Sequence, residues 1–413
     1  MALLSVVIPN FNHGRFLRRR VESVLQQTFK DLEVVLLDDA STDDSLEVIK
    51  DFADDPRVRV VVNPANSGQT FRQWRRGAAL TKGKYLWIAE SDDWAEPTLA
   101  ERLVGLLEAN PGCGVACCES WYDFGDATLW RQTNESHLPE SGRWHQDFIA
   151  DGRQECREHL VTRNTMPNAS AVVMRRSVYD AVGGPACSMR LCADWLLWVK
   201  MLEISDLAHV AAPLNAFRCD TATVRKRHIG SPLIQAEVFR IISYIQDRFG
   251  VERGLLERVM QARRAKFAAA MPAGGYSLAE LRQVYAAANE VDTELALYLP
   301  ADWARWQLGR AGRLGRRTAS RLASRAAGLL GSMLGLWLGL DPGALDRNAA
   351  EAAHLVEPVG HREVQDRGGG DGRVVRLSPG PLDMANHPRR QPADRHKPGE
   401  VKRIQKSLIA EFG

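Results

Sequence analysis

Short apolar runs alternate with amphipathic segments through the first hundred residues of the chain. Continuous runs rich in β-branched and aromatic residues predict strands that are buried on both faces. Between these runs, apolar residues recur at helical spacing, as Leu17, Val21 and Val24 do, and this spacing predicts helices. The four predicted strands are residues 3–8, 32–37, 58–62 and 85–89.

Strands that alternate with helices through short connections predict an α/β fold. The sheet is expected to be mostly parallel and flanked by helices, with right-handed crossovers. Ser41 lies three residues before Asp44, in the manner of a capping box, and predicts the start of the second helix. The later elements predicted in chain order are a helix at 98–108, a strand at 115–118, a strand at 169–174, a helix from 177, a helix at 192–202, and short strands at 209–212 and 214–217.

The pattern changes near residue 225. Residues 1–225 form the predicted α/β domain, and residues 226–300 carry a helical pattern without catalytic-looking clusters. Residues 301–340 join a basic, helix-prone run to an apolar run that is shorter than the ~20 residues needed to span a bilayer. Residues 341–413 are rich in Gly, Pro and Arg and are predicted to be a disordered tail.

Two interpretations of residues 301–340 stay open. A basic segment beside an apolar one that contains Trp fits a helix lying in the interface of an anionic membrane. A helix packed on the main domain fits the same residues. The first interpretation predicts peripheral contact with the inner face of the cell membrane.

Composition limits the classes of protein that fit. Of the 413 residues, 45% are hydrophobic and 25% are charged, which is typical of a globular protein, and the net charge of +3 gives no reason to expect nucleic acid as a partner. The seven cysteines form no CxxC pair, which argues against a zinc site or a disulfide framework and favours a reducing compartment. Residues 1–4 lead into a strand without a basic segment, so no signal peptide is predicted and the cytoplasm is the expected location.

Acidic residues cluster where the fourth predicted strand ends. Glu90, Asp92 and Asp93 follow the buried run directly, and carboxylates so close together repel one another unless they share a cation. Open α/β sheets bind ligands at the carboxyl ends of their strands, so a hard divalent cation held jointly with substrate phosphates fits this position. A solvated acidic turn fits the three residues equally well.

Two further acidic positions favour a ligand site. Asp38 and Asp39 follow the second strand and should reach the same edge of the sheet as Glu90. Asp194 lies in the first turn of the predicted helix at 192–202. The combination predicts a nucleotide diphosphate and a divalent metal that bridge the first two groups, with a third acid as general base.

Four stretches of the chain resemble one family. The chain is similar to family 2 glycosyltransferases of the GT-A fold, which implies a Rossmann-like, mostly parallel sheet flanked by helices. The resemblance runs through about residue 220. The stretches that carry it are SVVIPNFNHGRFL at 5–17, ESVLQQTFKDLEVVLLDDASTDDS at 22–45, NSGQTFRQWRRGAALTKGKYLWIAESDDWAEP at 66–97 and, more loosely, CADWLLWVKM at 192–201.

The resemblance implies a nucleotide site at the ends of the first two strands. Asp39 matches the acid that contacts the nucleotide base, and Asp38 beside it is assigned to the same site. Pro9, with Asn10 or Phe11, matches the loop that lies under the nucleotide. With a base-contacting acid at this position, a UDP-sugar is the expected donor.

The resemblance also implies a metal site and a catalytic base. Glu90-Ser91-Asp92 falls on the family's Asp-x-Asp motif, where Asp92 matches the acid most directly tied to the metal (Mn²⁺ or Mg²⁺) and Glu90 is expected to support it. Asp194 matches the acid that takes the proton from the acceptor hydroxyl. The implied reaction is an inverting sugar transfer to a saccharide or lipid-linked glycan, in the synthesis of a cell-surface polysaccharide or glycolipid.

The chain departs from the family pattern at two positions near the predicted nucleotide and metal sites. Glu90 stands where the first Asp of the metal motif is usual, and its longer stem changes the ligand geometry. Trp74 and Arg75 stand where many relatives carry an Arg-Asn pair before a glycine. A phosphate role for Arg75 or Arg76 is therefore less well supported than a solvated helix face.

A third departure lies after the last predicted strand. Many relatives show a His there, whereas this chain reads Arg218-Cys219-Asp220, which leaves Asp220 or His228 as substitutes. The missing His and Glu90 motivate a second hypothesis, a catalytically silent nucleotide-sugar-binding partner of a glycan-assembly complex. A third hypothesis, a nucleotidyltransferase on a similar fold, needs a Gly-rich cationic loop after the first strand, and residues 9–14 match that loop poorly.

Overall fold

The structure, a computed structural model, describes residues 2–124, 129–132, 142–219, 231–269, 276–296 and 298–299. These residues fall into two compact units, the first made of the described residues up to 219 and the second of those from 231 onward. The predicted segments at 301–340 and 341–413 lie outside the described residues. The predicted domain boundaries therefore stay predictions.

Ten strands of the described residues form one mixed sheet in the first unit. The strands are β1 (Leu4–Asn10), β2 (Leu32–Asp38), β3 (Val58–Val62), β4 (Tyr85–Ile88), β5 (Trp94–Ala95), β6 (Cys113–Asp123), β7 (Leu129–Gln132), β8 (Phe148–Ala150), β9 (Val172–Arg175) and β10 (Asp206–Arg218). Their order in the sheet is β3-β2-β1-β4-β9-β6-β10-β5, while β7 pairs with β6 and β8 pairs with β10. The mostly parallel α/β fold predicted from the sequence is confirmed.

Helices flank this sheet, and the best predicted of them bury the faces that the sequence indicated. Leu17, Val21 and Val24 of the first helix are fully buried. Burying apolar side chains of this size stabilises the fold by about 1.5–3 kcal/mol each. The helices of the first unit are α1 (Gly14–Leu25), α2 (Ser45–Lys50), α3 (Thr70–Ala79), α4 (Leu99–Ala109), α5 (Gly152–Glu155), α6 (Arg176–Ala181) and α7 (Ala193–Leu202).

Helix α3 approaches the central strand β1 closely at Gly77. A Cβ atom at this position would overlap the side chain of Val7, so only glycine lets the helix pack directly on the strand. The same helix buries Gln73 and Trp74. The close packing of α3 on β1 therefore fixes the positions of the Gln73 and Trp74 side chains.

The sheet is less regular than predicted beyond β4. Strand β9 runs antiparallel between β4 and β6, and residues 169–171 form a turn of 3-10 helix before it, although the sequence predicted a strand there. The two short strands predicted at 209–212 and 214–217 are one strand of 13 residues, β10, with an irregular register on β6. The strand predicted at 115–118 is the middle of the longer β6.

The capping box predicted at Ser41 is wrong. Helix α2 begins at Ser45 with Asp44 as its N-cap, and no side chain caps it. The Ser41 hydroxyl instead donates to Asp38 Oδ2 at 2.7 Å. A buried carboxylate attracts a hydroxyl donor more strongly than a neutral backbone group does, because a charged acceptor strengthens the hydrogen bond.

The described residues of the second unit are mainly helical, as the pattern after residue 225 predicts. Ser231 caps the first of these helices, and Ser277 and Glu280 form a capping box at the start of the third. No helix in the described part of the chain is long and apolar enough to cross a bilayer. The helices are α8 (Pro232–Phe249), α9 (Arg253–Ala269), α10 (Leu278–Val291) and α11 (Thr293–Ala296).

The parallel register aligns the carboxyl ends of three strands in the first unit. Asn10, the last residue of β1, pairs with Asp38, the last residue of β2. On the other side of β1, Val7 pairs with Ile88, the last residue of β4. The acidic residues that follow β2 and β4 therefore lie at one edge of the sheet.

Candidate active site

Asp38 accepts the hydrogen bonds that hold together the loop at the ends of β1 and β2. It is fully buried, and its carboxylate accepts the Ser41 N–H at 2.8 Å, the Ser41 hydroxyl at 2.7 Å and the Asn10 side-chain amide at 2.8 Å. Two residues of this loop, Asn12 and Ala40, have positive φ angles of 56° and 59°. Such backbone conformations cost about 1–3 kcal/mol each and persist where surrounding bonds hold them. The structure therefore places Asp38 inside the loop as its hydrogen-bonding centre.

The other predicted residues of this loop differ in exposure. Pro9 lies within the buried strand β1, and Asn10 is 2% exposed. Phe11 is 43% exposed, which leaves its ring open to solvent at the edge of the sheet. Of the three residues, Phe11 presents the most surface to a ligand.

Asp39 lies in a pocket of neutral hydrogen-bond donors. Its Oδ1 accepts the side-chain amides of Asn63 at 2.5 Å and Gln73 at 3.0 Å. The backbone N–H of Ser67 donates to the same oxygen at 2.9 Å, and the Ser67 hydroxyl donates to Oδ2 at 2.8 Å. These donors fix the orientation of the Asp39 carboxylate.

Glu90 follows β4 and is held from three sides. The Trp74 indole N–H donates to Oε1 at 2.6 Å, and the Glu90 backbone N–H donates to Ser170 Oγ at 3.0 Å. The Glu90 carbonyl accepts from Arg20 Nε at 2.8 Å. Burial and, to a lesser extent, the negative charge of Asp92 raise the pKa of Glu90, and the Trp74 hydrogen bond opposes them; the net pKa is about 8.

Asp92 and Asp93 have different surroundings. Asp93 is 2% exposed; its Oδ1 accepts the backbone N–H of Arg218 at 3.0 Å, and its Oδ2 lies 3.9 Å from a terminal nitrogen of Arg20. Burial and the charge of Asp92 raise the pKa of Asp93. The side chain of Asp92 is only partly buried. Asp92 is therefore the more accessible of the two acids.

Arg218 fills a role that the sequence did not reveal. Its guanidinium donates to the Asp92 carbonyl at 3.2 Å and to Asp123 Oδ2 at 3.2 Å, and it stacks 4.3 Å from the centre of the Phe16 ring. The antiparallel pairing of β5 with β10, which sets Trp94 against Ala216, brings it there. The two residues proposed as substitutes for the missing His, at 220 and 228, lie outside the described residues.

Arg20 is a second residue that the sequence reading missed. It is fully buried beneath the turn that carries Glu90, Asp92 and Asp93, called the acidic turn below. Neither terminal nitrogen of its guanidinium group has a hydrogen-bond partner among the described residues. Burial lowers the pKa of Arg20, while the charges of Asp93, Asp92 and Glu90 oppose this shift. Its position was readable from the helical period, because Arg20 lies three residues after Leu17, on the apolar face of α1.

Asp194 lies in the first turn of α7, as predicted. The side-chain amide of Asn164 donates to its Oδ2 at 3.1 Å. Six residues further along the chain, Ser170 contacts Glu90. Residues 164–170 thus link the acid of α7 to Glu90.

The adjacent residues Gln73 and Trp74 link the Asp39 pocket to the acidic turn. Gln73 donates to Asp39 and Trp74 donates to Glu90. Both belong to α3, so one turn of one helix reaches the predicted nucleotide site and the predicted metal site. The pockets of Asp39 and Glu90 are therefore brought together at one end of the sheet.

The residues present fit a hard cation held jointly with phosphates. Within the described ranges, no three His, Cys, Asp or Glu side chains are grouped so that they could hold a metal ion. The donors that the acidic turn offers are carboxylate oxygens of Asp92 and Glu90. Mg²⁺-like cations are commonly held by one or two carboxylates together with substrate phosphates, and these residues match that pattern.

The raised pKa of Glu90 predicts that its burial destabilises the protein at alkaline pH. Its pKa rises from 4.5 to about 8 in the folded state, so the unfolded chain releases this proton at lower pH than the folded protein does. The contribution of Glu90 to the free energy of unfolding should therefore be fully present below about pH 4.5, and it should be lost progressively as the pH rises from there through 8. Chemical denaturation at several pH values measures this, with Glu90→Gln expected to lose less stability than the wild type over that range.

The exposed Glu22 offers a matched control on α1. Glu22→Gln should retain the pH dependence of the wild type. Equal pH dependence in wild type and Glu90→Gln would contradict the buried, protonated state of Glu90.

The sheet with acids at its carboxyl edge has the features of an α/β ligand-binding domain. Residues 5–182 match the family model described as Glycosyl transferase family 2. The fold and family predicted from the sequence are thereby confirmed.

Curated relatives match part of the chain. It is 39% identical over 102 residues to the glycosyltransferase GlyG of Streptococcus pneumoniae serotype 4, which covers 24% of this chain and 34% of that protein. It is also 39% identical over 100 residues to the chondroitin synthase of Pasteurella multocida, covering 24% of this chain and 10% of that protein. The chain thus spans about a third or less of the length of these relatives.

Solved structures share the fold. The crystal structure of S. aureus TarS 1–349 in complex with UDP matches with a TM-score of 0.55 at 13% identity, covering 80% of this chain and 90% of that one. The same protein in complex with UDP-GlcNAc gives 0.54 at 15% identity. At this identity the match concerns the fold alone.

Proposed function

We propose that the protein transfers a sugar from a nucleotide-diphosphate donor to a hydroxyl group of an acceptor, with inversion at the anomeric carbon. One observation carries the proposal: α3 and residues 164–170 link the pockets of Asp39, Glu90 and Asp194 at the carboxyl edge of the sheet. In this arrangement Asp39 faces the nucleotide, the acidic turn faces the metal and the phosphates, and Asp194 is the general base.

The nucleotide is assigned to the Asp39 pocket and the exposed ring of Phe11. The Asp39 carboxylate accepts hydrogen bonds only, so it favours the N–H edge of a base or the hydroxyls of a ribose. Asp38, Pro9 and Asn10 hold the loop under the nucleotide. The relatives support a UDP-sugar as donor, because TarS structures of this fold contain UDP and UDP-GlcNAc.

Asp92 is the proposed carboxylate for a divalent metal, Mn²⁺ or Mg²⁺, with Glu90 as the second acid of the motif. When bound, the metal supplies positive charge that stabilises the diphosphate as it leaves. Asp92 would hold the metal, and Arg218 donates to the backbone carbonyl of Asp92. The partial burial of Asp92 leaves its side chain accessible to such a ligand.

Asp194 is the proposed general base. Its carboxylate takes the proton of the acceptor hydroxyl while the acceptor oxygen forms a bond to the anomeric carbon. The bond from that carbon to the diphosphate oxygen breaks, and the nucleotide diphosphate leaves with its electron pair. The Asn164 amide orients Asp194 for this transfer.

The acceptor and the cellular setting belong to the same proposal. The similarity to polysaccharide synthases such as chondroitin synthase supports a saccharide or lipid-linked glycan as acceptor, in cell-surface polysaccharide or glycolipid synthesis. The proposed location is the cytoplasm. Peripheral contact with an anionic membrane is proposed for residues 301–340 on their sequence pattern.

Nucleotide binding provides the first test of this function. UDP with Mn²⁺ should raise the melting temperature of the wild type, because a ligand at ~100 times its dissociation constant stabilises the folded state by about 2.7 kcal/mol. Asp92→Asn should lose the part of this shift that requires Mn²⁺. A thermal-shift titration with and without Mn²⁺ measures both effects.

The exposed Asp54 provides the control, because Asp54→Asn removes one carboxylate away from the acidic turn. This variant should keep the full metal-dependent shift. A wild-type protein whose melting temperature does not respond to UDP, with or without the metal, would refute the proposed function.

A further inference from the structure

Two departures from the family pattern are in direct contact. Trp74 and Glu90 are two of the positions at which the sequence departs from the pattern that the family resemblance implies. In the structure, the Trp74 indole N–H donates to Glu90 Oε1 at 2.6 Å. The two residues therefore form one local unit.

The indole of Trp74 is fixed in place by its surroundings. It is 3% exposed, and its ring packs edge-on against Phe71 with 5.1 Å between the ring centres. Its neighbour Gln73 is bound to Asp39, and the helix packs on β1 at Gly77. The N–H of Trp74 thus has one orientation, which points to Glu90.

Glu90 is held by its backbone as well as by its side chain. The Ser170 hydroxyl accepts its N–H and Arg20 donates to its carbonyl, while Trp74 holds the carboxyl group. Two residues further on, the accessible Asp92 has its carbonyl bound by Arg218. A strained or mobile Glu90 would shift the turn on which Asp92 lies.

We propose that Trp74 is a positioning residue that holds Glu90 as a fixed support of the acidic turn, so that Asp92 alone supplies the carboxylate that contacts the metal. This inference rests on the proposed function. It refines the role of Glu90 from a second ligand to a structural partner of Trp74. The packing of Trp74 against Glu90 thereby fixes the geometry of the turn, and the contact between Asp92 and the metal depends on that geometry.

The decisive experiment compares Mn²⁺ binding in the presence of UDP, by electron paramagnetic resonance of free Mn²⁺, with turnover of the sugar donor. Asp92→Asn should raise the apparent dissociation constant of Mn²⁺ by at least ~30-fold, which corresponds to loss of a charged ligand. Glu90→Gln should change it by less than about 3-fold, since Gln keeps the hydrogen-bond acceptor for Trp74. Equal weakening in Glu90→Gln and Asp92→Asn would overturn the proposal.

Trp74→Phe tests the positioning contact itself. It removes the N–H and keeps an aromatic ring against Phe71, and it should raise the apparent dissociation constant of Mn²⁺ by about 10-fold and lower turnover of the sugar donor with it. A Trp74→Phe, Glu90→Leu double variant should be no slower than Glu90→Leu alone, because both remove the same bond. Losses that multiply in the double variant would count against a shared role.

Trp198→Phe is the matched control. Trp198 is also fully buried, and its indole N–H donates to the Met166 carbonyl at 3.1 Å. This variant loses a comparable hydrogen bond and should keep the Mn²⁺ affinity of the wild type. If Trp74→Phe fails to fold, the comparison of Glu90→Gln with Asp92→Asn decides the proposal, whereas a wild type that binds no Mn²⁺ with UDP would overturn the proposed function itself.

Discussion

Asp194→Asn should abolish sugar transfer while leaving nucleotide binding unchanged. Asn has nearly the same shape as Asp and can still contact Asn164, but it cannot accept the acceptor's proton. A positioned general base contributes ~10²–10⁴-fold to the rate, so the turnover number should fall by that factor. Release of UDP from a nucleotide-sugar with an acceptor present measures turnover, and the UDP-dependent thermal shift measures binding.

The exposed Asp180 of α6 provides the control for this experiment. Asp180→Asn should retain the turnover of the wild type. A wild type that binds UDP but transfers no sugar, together with an Asp194→Asn variant of identical behaviour, would favour the silent nucleotide-sugar-binding partner over the transferase.

Arg20→Met should unfold the protein at markedly lower denaturant. Arg20 is fully buried, bonded to the Glu90 carbonyl and close to the buried carboxylate of Asp93. Removing one partner of a buried ion pair typically costs about 3–5 kcal/mol, because the other charge is left without compensation. Equilibrium denaturation of the first unit, followed by tryptophan fluorescence, measures this loss.

The same helix supplies the comparison for Arg20. Arg18 pairs with Asp51 at the surface, where both side chains are about half exposed. Arg18→Met should cost less than about 1 kcal/mol. Arg20→Met combined with Asp93→Asn should recover part of the loss, and a double variant as unstable as the sum of its single variants would show that the two charges do not interact.

The sequence predicted the first half of the sheet well because those strands are buried on both faces. Strands β1, β2 and β4 are continuous apolar runs, and their parallel register brings their carboxyl ends to one edge. The antiparallel strand β9 was placed roughly, but its direction was not predicted. Strand direction depends on pairing partners distant in sequence, and a short apolar run does not encode them.

The candidate site shows the same division between local and distant information. Asp39, Glu90 and Asp194 could be predicted as candidates because each follows a strand or begins a helix with a readable pattern. Arg218 and Asp123 were not, since their contact depends on the pairing of β5 with β10 and of β6 with β10. Ser41 misled the prediction because a buried acid, three residues away, competes with the helix terminus for its hydroxyl.

The consecutive placement of Gln73 and Trp74 on α3 has a consequence for how the domain can change over evolution. A helix turns by about 100° per residue, so one inserted or deleted residue ahead of Gln73 would rotate both side chains away from their acids together. Gly77 prevents the helix from shifting to compensate, because it packs directly on Val7. Length changes within α3 should therefore be selected against, and variation in the two pockets should come through substitution of side chains.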